Sequence, residues 1–433
     1  MHTPSAPLHS AFNRLSLAGL CATLVGNGIG RFAFIALMPA LISAGWFSQA
    51  EAMALGVATL VGYVVGAPVA DLLASRWSTA TMLRAAMLIC AASFFACAIE
   101  GAPMLWYYFW RTTVGVCGAL LMVITAPAVV PLHSAPVRGR ASGVVFSGIG
   151  LGAALSGLLI PLLITGLPQA AGAAATPLFA GHGVTAAWLG MGVVCLLLTL
   201  LTWRQWPAEA AARPLSAAVA ATAPPALGSD VRLAVGLILA AHGLNAIGYL
   251  AHTMFWVDYV VRELGLSLAD GGFYWAMFGL GAAVGPMLTG TLADWLGLKR
   301  CLVAGFVIKA AAALLPVWDH GHLALLLSSL LMGIFTPGIV ALVSAYALDR
   351  VGPLHHRRTW GMATTSFALA QAIGGAAMVF AATRLASYQP LFCASAVALL
   401  GSVICILLIP DRSGKPQAAK LADQPGAAAT PTH

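Results

Sequence analysis

Apolar residues run through this chain in blocks of about 20, separated by short polar, glycine- or proline-bearing breaks. A block of that length spans the hydrocarbon core of a bilayer as a helix. The blocks are continuously apolar rather than alternating, which argues against a membrane-spanning barrel. The pattern predicts twelve helices, over 15–43, 51–73, 79–99, 104–130, 140–165, 183–203, 232–258, 270–295, 300–318, 323–348, 358–383 and 388–409. Between the sixth and seventh, "ARPLSAAVAATAPPALGSD" has no apolar periodicity and reads as a linker. The predicted organisation is all-α and integral to the membrane. An N-terminal tail (1–14) precedes a six-helix bundle (15–203), a linker (204–231), a second bundle (232–410) and a disordered C-terminal tail (411–433).

Composition sharpens this picture. The 433 residues are 60% hydrophobic and 8% charged, with a mean hydropathy of +0.92, so a soluble domain of this length would lack a charged surface. The net charge of +8 does not mark a nucleic-acid binder, because the basic residues sit at helix ends and loops. Arg31, Arg111 and Lys309 fall deep within predicted spans, Arg262 and Arg384 in loops on one side, and the rest of the 21 lysines and arginines at span ends or in loops on the other. That bias puts both tails and the linker in the cytoplasm. The longest outer loop, "GLPQAAGAAATPLFAGHG", is given no function. The eight cysteines lie in or beside apolar runs and read as packing residues.

The two bundles repeat each other. "NGIGRFA" (Asn27 to Ala33) returns as "NAIGYLA" (Asn245 to Ala251), so Tyr249 stands where Arg31 stands. "GAPVADLLASRW" returns as "TGTLADWLGLKR", which matches Asp71 with Asp294 and Arg76 with Lys299. Both copies run in the same direction, as a parallel repeat about an axis along the membrane normal.

"GTLADWLGLKR" resembles the loop signature after the second helix of each half in the major facilitator superfamily, and "YFWRTTVGVCGA" its fourth-helix motif. "GNGIGRFAFIALMP", "GVVFSGIGLGAALSG" and the tyrosine of "VGYVVGAPVAD" resemble the YbfB/YjiJ-type branch. The loop signature departs from the usual pattern. Leu72 and Trp295 stand where a basic residue usually follows the aspartate, and Ala74 replaces the second glycine of the first copy. The resemblance implies two pseudo-symmetric bundles that transport by alternating access, with the first helix of each three-helix unit beside a central cavity. It also implies a link between Arg111 and proton coupling or substrate binding.

The polar residues inside the spans are the candidate chemistry. An arginine at mid-span is costly in lipid, so Arg31 should face a cavity or a partner. Asn27, Arg31 and Phe34 would share one face of a regular helix. Arg31 either binds an anionic group or is satisfied by carbonyls near Gly28 and Gly30. Arg111 follows the interfacial "WYYFW" and either binds or snorkels. His242, Asn245, Tyr249, His252 and Trp256 form one stripe, read as cavity-lining, with the two histidines as candidate proton acceptors. Lys309 is either a cavity charge or, as the resemblance implies for a peripheral third helix, snorkels along the bundle edge, and the second is the expectation. Gln371, Thr364 and Thr365 are polar liners or interhelical bonds. Asp71, Asp294, Lys299 and Arg300, with His242 and His252, are candidates for gating or coupling. "DHGH" (Asp319 to His322) is too slight a motif for a metal site, and no cofactor is expected.

No Asp or Glu lies at mid-depth in a predicted span, so no carboxylate proton relay is visible. The expected function is transport of a small organic solute, an anion by the balance of buried charge, across the inner membrane, by a monomer whose partners are that solute and the lipid. Proton-coupled efflux is one mode left open. The alternatives, a membrane-embedded enzyme or a transporter-like sensor, lack a G-x-S-x-G, an H-E-x-x-H and an output domain.

Overall fold

The computed structural model describes residues 8–74, 76–166, 182–206 and 228–410, without the side chains of 67, 71, 135, 353 and 357. The outer loop, most of the linker and the C-terminal tail therefore fall outside the described residues. Those that are described form twelve helices long and apolar enough to cross a membrane. They are α1 (Arg14–Ser43), α2 (Gln49–Ala74), α3 (Thr79–Cys97), α4 (Met104–Leu132), α5 (Arg138–Thr165), α6 (Gly183–Thr202), α7 (Ser229–Glu263), α8 (Leu268–Leu296), α9 (Leu298–Trp318), α10 (His322–Gly352), α11 (Leu354–Ala382) and α12 (Gln389–Leu407).

Polar caps set several of the starts. The Asn13 side chain accepts from the amides of Leu15 and Ser16, Ser78 caps α3, and Ser267 with Asp270 forms a reciprocal capping box on α8. Gly352 (φ 72°) turns the chain between α10 and α11 without a loop. Several helices run a few residues past the predicted spans. Hydropathy marks where the apolar slab ends, whereas hydrogen bonding carries the helix on into charged sequence.

Glycines bring the helices into backbone contact, as expected where no hydrophobic effect drives helices together in lipid. A Cβ on Gly62 of α2 would lie 2.0 Å from the Thr112 carbonyl oxygen of α4, and one on Gly285 of α8 would lie 2.1 Å from the Ile334 carbonyl oxygen of α10. Both glycines stand nine residues before the matched aspartates Asp71 and Asp294, so the internal repeat recurs in the packing.

Between the first six helices and the last six, α5 meets α8 along a glycine stripe. Cβ atoms on Gly157 and Gly150 would lie 2.5 and 2.2 Å from backbone atoms of Gly272 and Ala283. Gly143, two turns earlier on the same face of α5, meets nothing within 4 Å, and neither does Gly290 near the end of α8. The halves are joined on the side opposite the termini and part towards the side that bears them.

Gly62→Ala should destabilise the protein by about 1–3 kcal/mol through overpacking. Gly236→Ala on α7, where a Cβ meets open space, should be neutral or stabilising by up to about 1 kcal/mol. Thermal unfolding in detergent, followed by tryptophan fluorescence, checks both; equal responses would contradict the close approach of α2 and α4.

Candidate functional site

The first helix of each half is broken at its middle. In α1, Leu24–Ile29 is wound as a π-helix, and Gly30 to Phe32 form a turn before the α-helix resumes at Ala33. The Gly30 amide reaches back to the Val25 carbonyl at 2.9 Å. A Cβ at Gly30 would sit 2.5 Å from the Gly26 carbonyl oxygen, so the glycines of "VGNGIG" permit this winding. In α7 the regular helix stops at Gly248, Tyr249 interrupts it, and Ala251–Phe255 is again π-wound. The breaks fall on the matched positions of the repeat, Arg31 and Tyr249.

These two residues meet. Arg31 Nη2 donates to Tyr249 Oη at 2.9 Å, and the Tyr249 hydroxyl donates to Gln371 Oε1 of α11. The Arg31 guanidinium lies 5.0, 5.8 and 6.0 Å from the ring centroids of Phe32, Tyr249 and Tyr63, within cation–π range. Arg31 and Tyr63 are half-buried, whereas Tyr249 and Gln371 are buried behind them. Tyr249 stacks on Phe367, whose ring also lies 4.8 Å from that of His242 at a tilt of 35°; Trp360 flanks the His242 ring at 5.7 Å. The buried Gln371 Nε2, Asn245 Nδ2 and His242 Nδ1 have no hydrogen-bond partner among the described residues.

Lys309 corrects the sequence expectation. It does not snorkel; it is 0% exposed, donates to Asn245 Oδ1 at 2.8 Å and lies 5.2 Å from the Tyr249 ring centroid. It sits near the middle of α9, roughly 15 Å from either end at 1.5 Å per residue, beyond the reach of a lysine stem. Arg31, Arg111 and Lys309 have no carboxylate partner among the described residues.

The one-face expectation for Asn27, Arg31 and Phe34 fails, because the π-turns change the helical phase. Asn27 donates to the Gly118 carbonyl of α4 at 3.0 Å. Phe34 points into the first six helices, against Trp188, with the Arg111 guanidinium 4.5 Å from its ring centroid. Arg111 neither snorkels nor joins Arg31. It is 1% exposed, and its Nη1 donates at 3.1 Å to the Gly30 carbonyl at the break. It holds the turn that aims Arg31.

The stripe on α7 divides for the same reason. His242, Asn245 and Tyr249 stay together, but His252 and Trp256 turn into the last six helices. His252 Nε2 pairs with Ser328 Oγ at 2.8 Å, and His252 and Trp256 both pack on Phe392 of α12. The Thr364 and Thr365 hydroxyls bond to carbonyls of their own helix. At the α8–α9 turn Asp294 and Arg300 are exposed, while Lys299 donates to the Ile409 carbonyl at 2.7 Å. The Asp71 side chain lies outside the described residues. Asp319 accepts from the Gly321 amide, and His322 Nδ1 pairs with the Tyr274 hydroxyl. Among the described residues no group of three His, Cys, Asp or Glu side chains could hold a metal ion.

A polar cluster that the sequence reading missed joins the halves on the side opposite the termini. Asp258, 0% exposed, pairs with Arg262 at 3.2 Å and accepts from the Tyr388 hydroxyl. Gln49 of α2 donates to Tyr388 Oη at 2.9 Å and accepts from Arg262 at 3.3 Å. Burial, and then the Asp258 carboxylate, push the Tyr388 phenol up, so it remains a donor. Glu263 accepts from Ser387 Oγ and the Tyr388 amide. The visible signal was the Asp258–Arg262 spacing of four on one helix. It was lost because the predicted span stops at 258, whereas α7 runs to Glu263.

A family model described as "Uncharacterised MFS-type transporter YbfB" matches residues 23–406. Quinolone resistance protein NorA of Staphylococcus aureus is 27% identical over 160 residues, 35% of this chain and 39% of that protein. The MFS-type transporter YfiU of Bacillus subtilis (strain 168) is 31% identical over 93 residues, 21% of this chain and 18% of that one. The chain thus spans about two-fifths of NorA or less than a fifth of YfiU.

A double-mutant cycle of Tyr249→Phe and Gln371→Leu checks the central hydrogen-bond chain. Tyr249→Phe alone should cost about 1–3 kcal/mol, because Gln371 Oε1 is left buried without a donor. The pair should couple by about 0.5–3 kcal/mol in thermal or denaturant unfolding, and additive effects would contradict the contact.

Proposed function

The chain belongs to the YbfB-type family of major facilitator transporters, and from that premise we propose that it moves a small organic anion by alternating access around Arg31. Membership makes it a multi-pass membrane protein and a transporter. What supports the anion is one observation: Arg31, half-buried where two broken helices meet, has no carboxylate to balance it among the described residues. A guanidinium in that setting favours a ligand carboxylate or similar oxyanion, which it can take through two parallel hydrogen bonds. The unpartnered donors of Gln371 and Asn245 add acceptor-seeking groups behind it. Half-buried Tyr63, Trp360 and Phe367 offer aromatic faces to the apolar part of the solute.

The two six-helix units, 15–203 and 232–410, are the bodies that would rock. In this reading the positive-inside bias places the termini in the cytoplasm of a cell whose inner membrane holds the protein as a monomer. The parted side of the α5–α8 interface then faces inward, and the Asp258–Arg262–Tyr388–Gln49 cluster closes the outside. The cluster must come apart for the outward-open state. Solute leaves chemically unchanged, and export is the favoured direction, in line with the resistance named for NorA.

Flux from proteoliposomes loaded with organic acids, quinolones among them, tests the reading. Wild type should move at least one anion. Arg31→Lys should keep part of that flux, and Arg31→Gln should lose it by about tenfold or more, as expected when a charged hydrogen bond of about 1.5–3 kcal/mol is removed. Equal flux through all three proteins would overturn the proposal.

A further inference from the structure

Lys309 has no part in the transport reading so far, and its position is unusual. Resting on the anion reading of the central site, we propose that Lys309 is the proton-carrying residue of the cycle, holding its proton when the anion occupies the site beside Tyr249 and releasing it when the anion leaves.

The surroundings of Lys309 are specific. Its ammonium has one hydrogen-bond acceptor, Asn245 Oδ1, and the face of the Tyr249 ring. From α7, His242, Tyr249 and His252 lie within electrostatic reach, and Arg31 of α1 stands on the Tyr249 hydroxyl. The other helices packed on α9 bring it no countercharge. α12 carries no charged residue, only the thiols of Cys393 and Cys405. α10 carries none between His322 and Asp349, its phenol Tyr346 lying near its far end, and α8 none between Asp270 and Asp294. α11 has none after Arg358.

Arginine is charged at every accessible pH, so neither Arg31 nor Arg111 can carry a proton. The histidines are less suited, although each keeps an Nδ1 unpartnered among the described residues: His252 bonds Ser328 and is turned into the last six helices, and His242 is held between the rings of Phe367 and Trp360. Lysine can exist as ammonium or as amine, and here the difference is a full charge in a site without a carboxylate. An anion arriving at Arg31 brings the missing negative charge into a low-dielectric region, where it acts strongly on Lys309. Binding of anion and proton must then be mutually favourable, since linkage is reciprocal. The step balances simply: the amine takes one proton from solution as the anion binds and returns one when it leaves, so proton and anion travel together and export runs down the outward gradient of the anion rather than on an inward proton gradient. Anion affinity is highest at low pH and falls as pH rises, because less ammonium is present to be joined.

The test uses the full chain in detergent with sodium benzoate and sodium succinate as probes. Thermal stabilisation is measured between pH 6 and 9, and proton uptake with an indicator dye in weak buffer. Wild type should take up about one proton per bound anion, and affinity should fall by up to tenfold per pH unit at the alkaline end. Lys309→Met should bind more weakly, and Lys309→Arg should retain binding; neither should take up a proton or show the pH slope. Wild-type binding without proton uptake, or uptake unchanged in either variant, overturns the role of Lys309 and leaves the anion site standing. Failure of both probes to stabilise wild type, or equal binding by Arg31→Gln, overturns the anion reading and this proposal with it.

Discussion

A guanidinium held inside a membrane protein, without a carboxylate partner among the described residues, is the constraint around which this structure is organised. Arg31 cannot be left to lipid, and it cannot lose its charge. The chain answers by breaking α1 just before the arginine and using Arg111 to take the Gly30 carbonyl at the break. The Arg31 head then reaches the Tyr249 hydroxyl across the molecule. Because Tyr249 occupies the same place in the other half, one local irregularity appears twice, and the two meet at the centre.

The remaining packing lets that centre exist. Glycine stripes bring α2 onto α4, α8 onto α10 and α5 onto α8 at backbone distance. Rigid contacts of this kind suit bodies that move as units, because closely packed interfaces switch between arrangements rather than deform gradually. On the side opposite the termini, Asp258, Arg262, Tyr388 and Gln49 supply the polar contact between halves. Those bonds are individually modest, and the buried carboxylate at their core needs all of its donors. The fold therefore has a firmly closed side whose closure rests on a few exchangeable hydrogen bonds.

Much of this was legible in the sequence. Hydropathy placed the twelve helices because bilayer thickness fixes their length, and the repeat paired Arg31 with Tyr249. Side-chain direction was not legible inside the broken segments. The faces assigned to Asn27 and Phe34, and to His252 and Trp256, assumed 3.6 residues per turn, and the π-turns of α1 and α7 violate that assumption. Lys309 was assigned to the periphery by its helix, but its depth left it no route to the surface. Asp258 escaped because hydropathy ended its span one turn early. At the breaks and at Asp258 the lost information was local helical geometry and extent, which composition does not encode; for Lys309 the depth was countable and was outweighed by the place of its helix.

The central claim is that the contact between Arg31 and Tyr249 marks the place where an anion enters. The most direct measurement is a pair of cryo-electron microscopy maps in lipid nanodiscs, without and with the transported anion at saturation. The account predicts an anionic group within about 3 Å of the Arg31 guanidinium, with the Tyr249 hydroxyl released from it. Ligand density elsewhere, with the Arg31–Tyr249 bond intact in both maps, would contradict it.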